Sequence, residues 1–309
     1  MHAHADPTRD VHRHSPSQGP ADYGRAFAIG LALNLGFVVV EALFGAAAHS
    51  VALMSDAGHN LGDALGLGVA WLASALAQRA PSARFTYGLR GSSILAALFN
   101  AALLFATVGA LSWEAARRLA DPAPSAGATV MVVALAGIVV NGATAALFAS
   151  GRADLNLRGA FLHMAADAVV SAGVALAGLA TLLTGWERLD PLVGLAVNAA
   201  IAISAWGLLR DSVAMSMAAA PRHIDPAAVR AFLASQPGVA SVHDLHVWPM
   251  STTETALTCH LVMPGGHPGD AFLHQLSHEL DQRFSIVHAT AQIETDPELA
   301  CALAPDEVV

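Results

Sequence analysis

The sequence predicts an α-helical membrane domain of six transmembrane helices, followed by a small cytoplasmic α+β domain with the element order α-β-β-α-β. Three observations predict this. Hydrophobic residues make up 55% of the 309 residues and charged residues only 13%, whereas soluble domains carry about 25% charged residues. Six stretches have the length of roughly 20 mostly apolar residues that a spanning helix needs. After about Ala220 the long apolar stretches give way to short amphipathic segments.

The six apolar stretches are separated by polar or Pro/Gly-rich breaks, which are typical of loops. The first break, AAAHS, is so short that helices one and two must form a tight hairpin. The predicted helices run from Ala26 to Ala48, Val51 to Leu76, Ser92 to Leu119, Ala128 to Ser150, Leu155 to Leu183 and Leu189 to Leu209. We therefore expect the transmembrane domain to span residues 25–215.

The arginines predict how the bundle is oriented. Most of them precede helix one, lie between helices two and three or four and five, or follow helix six. The other side of the bundle has only Arg117, Arg118 and Arg188. Because cytoplasmic loops carry the excess of positive charge, both termini are expected in the cytoplasm.

The first 24 residues form a polar tail that has no apolar core and so is not a signal peptide. His2, His4, His12 and His14 make it a His-rich tract. Such a tract is typical of loose metal capture. The alternative is a disordered tail in which the histidines occur by chance.

The cytoplasmic domain is expected over residues 220–298, with a short tail at 299–309. Asp225 and Pro226 have the residue types of a helix N-cap and first turn. The alternation of apolar and polar residues predicts strands in three segments, VASVHDLHVWPM, ETALTCHLVMP and SIVHATAQIET. Helical spacing of apolar residues predicts a helix over GDAFLHQLSHELDQRF. On the last strand, His288 and Glu294 share one face, and the opposite face from Val287 to Ile293 reads as core.

Two His–Asp pairs stand out within the apolar stretches. His59 and Asp63 lie four residues apart in helix two, and His163 and Asp167 repeat the spacing in helix five. Four residues is about one helical turn, so each pair shares a helix face. Ionisable residues within membrane helices mark functional sites. Two imidazoles and two carboxylates suit a tetrahedral divalent ion such as Zn²⁺.

The structural alternative is that each pair is a buried hydrogen bond. Two pairs of the same spacing in separate helices favour a shared metal site instead. Asp56 is interpreted as a ligand on the path into the site or as a helix N-terminal group. For Glu41 in helix one, the favoured interpretation is a hydrogen bond to a neighbouring helix.

Several stretches together resemble the cation diffusion facilitator family of zinc-type efflux transporters. They are SVALMSDAGHNLGDALGLGVAW, FTYGLRGSSILAALFNAALLF, LRGAFLHMAADAVVSAGV, VHDLHVWPMSTTETALTCHLV and FSIVHATAQIE. The resemblance covers roughly residues 24–296. It implies a homodimer in the bacterial inner membrane, with a metallochaperone-like cytoplasmic domain, that exports divalent cations in exchange for protons.

By position, His59 and Asp63 match the helix-two half of the family's transport site, and His163 and Asp167 match the helix-five half. This set resembles the zinc-preferring branch. The His-rich loop between helices four and five that is frequent in that branch is here the short SGRADLN. The loop ARFTYGLRG contains no metal-ligating side chain, so no site is expected there.

The resemblance also supports a regulatory zinc site in the cytoplasmic domain, at His243, His260, His288 and Glu294. The alternative is a set of surface histidines on a small sheet. Cys301 is a weaker candidate, as a thiolate ligand.

The expected function is therefore that of a proton-coupled antiporter for divalent cations. Zn²⁺ is expected as substrate and possible regulator, and no prosthetic group is expected. The expected partners are protons, membrane lipid and a second copy of the chain. Cobalt, cadmium or nickel as main substrate is the first alternative. A membrane metal sensor or metalloenzyme is less favoured, since catalysis needs an open coordination position and four protein ligands fill the tetrahedron. No basic cluster suggests nucleic-acid binding.

Overall fold

In the computed structural model, residues 23–122, 124–149 and 155–296 are described, together with Cys301 and Leu303. Residues 1–22 of the predicted His-rich tail, and most of the predicted tail at 299–309, lie outside these described residues. The chain has a bundle of long helices followed by a small domain with a three-stranded sheet. This confirms the predicted fold class and its α-β-β-α-β order.

Within the described residues the bundle has six helices, in the order predicted. They are α1 (Tyr23–Ala47), α2 (Val51–Ala77), α3 (Ser92–Ala120), α4 (Gly127–Phe148), α5 (Leu155–Thr184) and α6 (Leu189–Ser216). Five of them, α2 to α6, are long and apolar enough to cross a membrane. The described apolar part of α1, Ala32–Ala47, is shorter. Helix α6 runs seven residues beyond its predicted end at Leu209, because polar residues such as Arg210 and Asp211 do not interrupt a helix that leaves the bilayer.

Small residues allow the helices to approach one another closely. A Cβ on Gly178 of α5 would lie 2.7 Å from the backbone nitrogen of Met131 in α4. A Cβ on Gly127 would lie 2.8 Å from the carbonyl oxygen of Gly178. Without a hydrophobic force between helices in lipid, this close backbone packing contributes much of the association. Helix α4 therefore packs along α5, while α3 packs along α6 and α2 contacts α1, α3 and α6.

The cytoplasmic domain consists of α7 (Pro226–Ala234), β1 (Ser241–Pro249), β2 (Thr255–Val262), α8 (Asp270–Phe284) and β3 (Ile286–Glu294). Asp225 caps α7 by accepting a hydrogen bond from the N–H of Ala227 at 2.9 Å, as its residue type predicts. Strand β2 is central, antiparallel to β1 and parallel to β3. Leu233, Leu261 and Leu280 join helices and sheet in one buried core.

The predicted core face of β3 is only partly buried. Ala289 and Ile293 pack against the domain core. Val287, placed on the same face by alternation, is exposed. Alternation identifies the face of a strand, but burial also requires an element above it.

The two parts of the chain meet at the loop between α2 and α3. Arg90 in this loop forms an ion pair with Glu254 of the β1–β2 turn. The N–H of Thr252 donates to Oγ of Ser93 at 3.1 Å. The ring of Tyr87 lies edge-on to that of His288, with centroids 5.4 Å apart. The α2–α3 loop and the small domain therefore lie on the same side of the bundle.

Candidate metal centres

The four predicted side chains of the membrane domain are brought together by α2 and α5. His59 and Asp63 lie on one face of α2, and His163 and Asp167 lie on one face of α5, as the one-turn spacing predicts. The two faces point at each other, so each histidine approaches the carboxylates of both helices. The two imidazole rings are nearly perpendicular, with centroids 5.9 Å apart.

The distances between the polar atoms of this cluster fall in a narrow range. His163 Nε2 lies 2.9 Å from Asp63 Oδ2 and 3.6 Å from Asp167 Oδ2. His59 Nε2 lies 3.6 Å from Asp63 Oδ2 and 3.8 Å from Asp167 Oδ1. Zinc bonds of about 2.0–2.2 Å place tetrahedral ligand atoms about 3.3–3.6 Å apart. The four measured separations bracket that edge length, so an ion fits among these atoms after small adjustments.

Three of the residues form the tightest group. One ligand atom from each of His59, Asp63 and His163 lies within 4.8 Å of the others. Asp167 lies beside both imidazoles and is the most buried member, with 4% of its side chain exposed against 43% for His163. The Asp167 side of the cluster is therefore buried within the bundle, and the His163 side is exposed.

Several polar atoms of the cluster have no hydrogen-bond partner among the described residues. They are Oδ2 of Asp167 and Nδ1 of His59, and the 2.9 Å contact of Asp63 Oδ2 with His163 Nε2 lacks the geometry of a hydrogen bond. Buried polar atoms without partners are uncommon and require an explanation. Two carboxylates beside two imidazoles form a donor set whose total charge matches that of a divalent ion.

A second group of potential ligands lies in the cytoplasmic domain. Ligand atoms of His243, His260, Glu294 and Cys301 all lie within 4.8 Å of one another. His260 Nδ1 is 2.9 Å from Glu294 Oε1 and 3.6 Å from Cys301 Sγ. His243 Nε2 is 3.3 Å from the same Glu294 oxygen. Two nitrogens, one carboxylate and one thiol are ligands that zinc accepts.

An irregularity in β1 shapes this second group. His243 pairs with His260 of β2, but the register shifts before His246 pairs with Thr258. Two residues, Asp244 and Leu245, lie opposite the single residue Cys259, and Asp244 has a φ of 48°, in the left-handed region. Such a bulge redirects side chains. The Asp244 carboxylate consequently reaches both His246, at 2.8 Å, and His260, at 3.4 Å.

Glu294 at this cluster and the nearby buried Cys259 have pKa values shifted from their ordinary ranges. Partial burial raises the pKa of Glu294, but contacts with Cys301, His243 and His260 outweigh it and hold the pKa below its usual range. Burial, followed by the charge of Asp244, raises the pKa of the Cys259 thiol to about 12. Cys259 therefore remains a neutral core residue, whereas Cys301 is the thiol placed at the cluster.

The structure does not bring His288 to this cluster. His288 and Glu294 lie on the same strand, but six residues at about 3.3 Å each separate them by roughly 20 Å. His288 instead contacts Tyr87 in the α2–α3 loop. Sequence reasoning gave little weight to Cys301 and none to Asp244. The only sequence signal for Asp244 is its position between two strand histidines.

The chain matches two models of known families. Residues 27–215 match the cation efflux transmembrane domain, and residues 221–296 match the cytoplasmic domain of cation efflux proteins. The first match alone covers more than half of the chain. The boundary between the two matches falls where the bundle gives way to the small domain.

Similar proteins match over most of their length. A protein named zinc transporter ZitB, from Escherichia coli strain K12, is 35% identical over 93% of this chain and 92% of its own. A cadmium, cobalt and zinc/H(+)-K(+) antiporter from Bacillus subtilis strain 168 is 33% identical, over 84% and 86%. A solved structure also matches, described as the metal-bound C-terminal domain of the CzcD transporter from Cuprividus metallidurans. Its sequence is 36% identical, and the match covers 23% of this chain and 99% of that one, with a TM-score of 0.22.

Proposed function

We propose that this chain, which belongs to the cation efflux family, exports divalent metal ions from the cytoplasm in exchange for protons, with Zn²⁺ as its main substrate. It is a transporter rather than an enzyme, as the family and the names of its relatives indicate. The observation that carries the proposal is the meeting of His59 and Asp63 with His163 and Asp167 at distances that suit one tetrahedral ion.

The ligand set supports zinc, with cadmium and cobalt as further substrates. Two imidazoles and two carboxylates suit a borderline divalent ion, whereas an all-oxygen set would favour harder ions. Cadmium and cobalt appear with zinc in the name of the B. subtilis relative. Selectivity among these ions depends on geometry and metal availability more than on ligand type alone. We therefore expect zinc to be transported in preference to the others, without excluding them.

The exchange for protons follows from the ligands. A histidine nitrogen must be deprotonated before it binds a metal ion, so metal and protons compete for the same atoms. The unperturbed histidine pKa of about 6.5 puts this competition near physiological pH. Zinc binds while the site faces the cytoplasm. After the bundle changes conformation, protons from outside displace the ion.

A cleft beside the transport cluster supports access from the cytoplasmic side. It has a volume of about 760 Å³ and runs along α2 and α3 from Gly66 to the β1–β2 turn at Glu254. Gly66 lies three residues after Asp63, which is nearly one helical turn. The cleft therefore starts close to the cluster and opens where the bundle meets the small domain.

We place both termini and the small domain in the cytoplasm, with the bundle in the inner membrane. The distribution of arginines supports this orientation, and the contact between Arg90 and Glu254 puts an arginine-bearing loop beside the small domain. We also propose that the chain works as a homodimer. Support for this comes from the family model of residues 221–296, which is named for dimerisation.

In the cytoplasmic domain, the proposed regulatory zinc site comprises His243, His260 and Glu294, together with Cys301. His288, which the sequence included, is left out because it lies against Tyr87 instead. Binding of cytoplasmic zinc at this site would act on the membrane domain through the loop that carries Arg90.

The test of the proposed function is zinc flux into proteoliposomes that hold a zinc indicator and a pH gradient. We expect wild-type flux to increase with the gradient, and Asp63→Ala and Asp167→Ala each to abolish the gradient-driven part. Asp121→Ala, in an exposed loop after α3, is the matched control and should keep wild-type flux. Near-normal flux in either site variant would refute the assignment of the transport site.

A further inference from the structure

A second group of carboxyl side chains lies next to the transport cluster without belonging to it. Glu41 of α1 is 0% exposed and Asp56 of α2 is 1% exposed. Neither is among the four proposed metal ligands. A buried acid in a membrane helix needs a partner or a proton, since an isolated carboxylate out of water is strongly disfavoured.

The hydrogen bonds of this pair come from neutral side chains. Ser171 of α5 donates through Oγ to Oδ2 of Asp56 at 3.2 Å, and Asn60 donates through Nδ2 to Oδ1 at 3.5 Å. The Glu41 carboxyl faces Asp56 and Asn60. Neither of its oxygens has a hydrogen bond of normal geometry to the described residues. Asp56 is thus held in place on two sides, whereas Glu41 has a carboxyl group as its main neighbour.

The charged groups around the pair do not neutralise it. Helix α2 contributes His59 in addition to Asp56, and α5 contributes a further acid, Asp167. Helix α4, which also packs against α1, carries no titratable residue. No arginine among the described side chains contacts the pair. Two adjacent carboxyl groups out of water cannot both be ionised at neutral pH without a cation, so they share protons.

We propose that Glu41 and Asp56 form a proton-binding site, distinct from the metal ligands, that loses one proton when metal binds and regains it when metal leaves. This inference rests on the proposed function, because it assigns one of the exchanged protons to residues outside the metal cluster. The pair titrates as a unit, so the proton belongs to both carboxyl groups rather than to either one.

The positions of the two groups explain how metal and proton are coupled. Asp56 precedes His59 by three residues on α2, and Ser171 follows Asp167 by four residues on α5. Asp56 and its hydrogen-bond donor Ser171 therefore each lie about one helical turn from a proposed ligand. At that distance in a medium of low dielectric, the charge of a divalent ion disfavours a proton on the pair. Metal arrival expels the proton to water, and metal departure leaves Asp167 as an uncompensated acid that favours its return.

The experiment counts protons released per zinc ion bound by the full-length protein in detergent, in weakly buffered solution with a pH indicator. We expect Glu41→Gln and Asp56→Asn each to bind zinc and to release about one proton fewer than wild type. In both variants the amide replaces the shared proton by a permanent hydrogen-bond donor. Asp121→Asn should release the wild-type number. Thermal melting of each variant establishes that it is folded, and either variant alone suffices if the other fails to fold.

Each outcome distinguishes this inference from the proposed function. Wild-type proton release by a folded, zinc-binding Glu41→Gln or Asp56→Asn overturns the inference and leaves the antiporter intact. If K⁺ at constant pH restored the proton release that a variant has lost, the pair would be a monovalent-cation site. That result would also overturn the inference. A wild-type protein that releases no protons on binding zinc would overturn the antiporter itself.

Discussion

The backbone N–H of Val51, in the first turn of α2, donates a hydrogen bond of 2.6 Å to Oδ2 of Asp190 in α6. The hydroxyl of Ser50 donates to the other oxygen of the same carboxylate. Ser50 Oγ in turn accepts from the N–H of Leu53 at 3.1 Å, which caps the helix. An anion at a helix N-terminus is favourable because unpaired N–H groups and the helix dipole meet there. Asp190 therefore fixes the start of α2, the helix that carries His59 and Asp63, against α6.

Replacing this anchor is expected to lower stability and flux together. Asp190→Asn keeps the shape of the side chain but loses the charge-assisted bonds, which we expect to cost about 1–3 kcal/mol. Thermal unfolding in detergent would report this as a lower Tm, and proteoliposome flux should fall. The matched control is Asp211→Asn, an exposed acid on the same helix that pairs with Arg210 and Arg222. Since surface pairs contribute about 0–1 kcal/mol, an equal loss in both variants would contradict the anchoring role.

Zinc affinity should fall as the pH is lowered. The sign follows from the chemistry, since each imidazole must lose its proton before it binds zinc. With two histidines the affinity should drop by up to about a hundredfold per pH unit once both imidazoles are protonated in the metal-free site. Calorimetric titration of the full-length protein measures this, and His163→Ala should bind more weakly and with a shallower dependence on pH. An affinity that does not vary between pH 5.5 and 7.5 would show that the imidazoles are not ligands.

Zinc should protect Cys301, but not Cys259, from alkylation. Cys301 lies 3.6 Å from His260 in the proposed regulatory cluster. Cys259 is buried, and its pKa, raised to about 12, leaves little reactive thiolate at neutral pH. Iodoacetamide labelling followed by mass spectrometry should show modification of Cys301 alone, slowed by zinc. Glu294→Gln should reduce this protection, whereas His288→Ala should leave it unchanged. Protection that depends on His288 would restore the ligand set inferred from sequence.

The ion pair between Arg90 and Glu254 should couple the cytoplasmic domain to the bundle. Arg90→Glu places two acids in contact, which should lower Tm and weaken any effect of cytoplasmic zinc on flux. The swap Arg90→Glu with Glu254→Arg should restore most of both properties, because the pair is re-formed with its charges exchanged. A double-mutant cycle gives the coupling, expected at about 0.5–1 kcal/mol for a partly exposed pair. Additive effects of the two single changes would argue against direct coupling.

The sequence by itself determined which polar side chains of the membrane domain share a helix face. Within a helix, a separation of four residues dictates a shared face, so the pairing of His59 with Asp63 and of His163 with Asp167 needs no tertiary information. The number and order of the elements also followed from apolar length and strand alternation. What spacing does not contain is the orientation of α2 toward α5. That depends on the packing of all six helices, in which small residues such as Gly178 set the approach.

Only the tertiary structure decided the composition of the cytoplasmic cluster and the surroundings of Glu41. Strand alternation placed His288 and Glu294 on one face, but distance along a strand grows with every residue, so a shared face does not bring side chains together. Cys301 reaches His260 although it lies 41 positions away in sequence. Glu41 and Asp56 meet because α1 packs on α2. Local periodicity is written in the sequence, whereas contacts between distant elements arise only when the whole chain has packed.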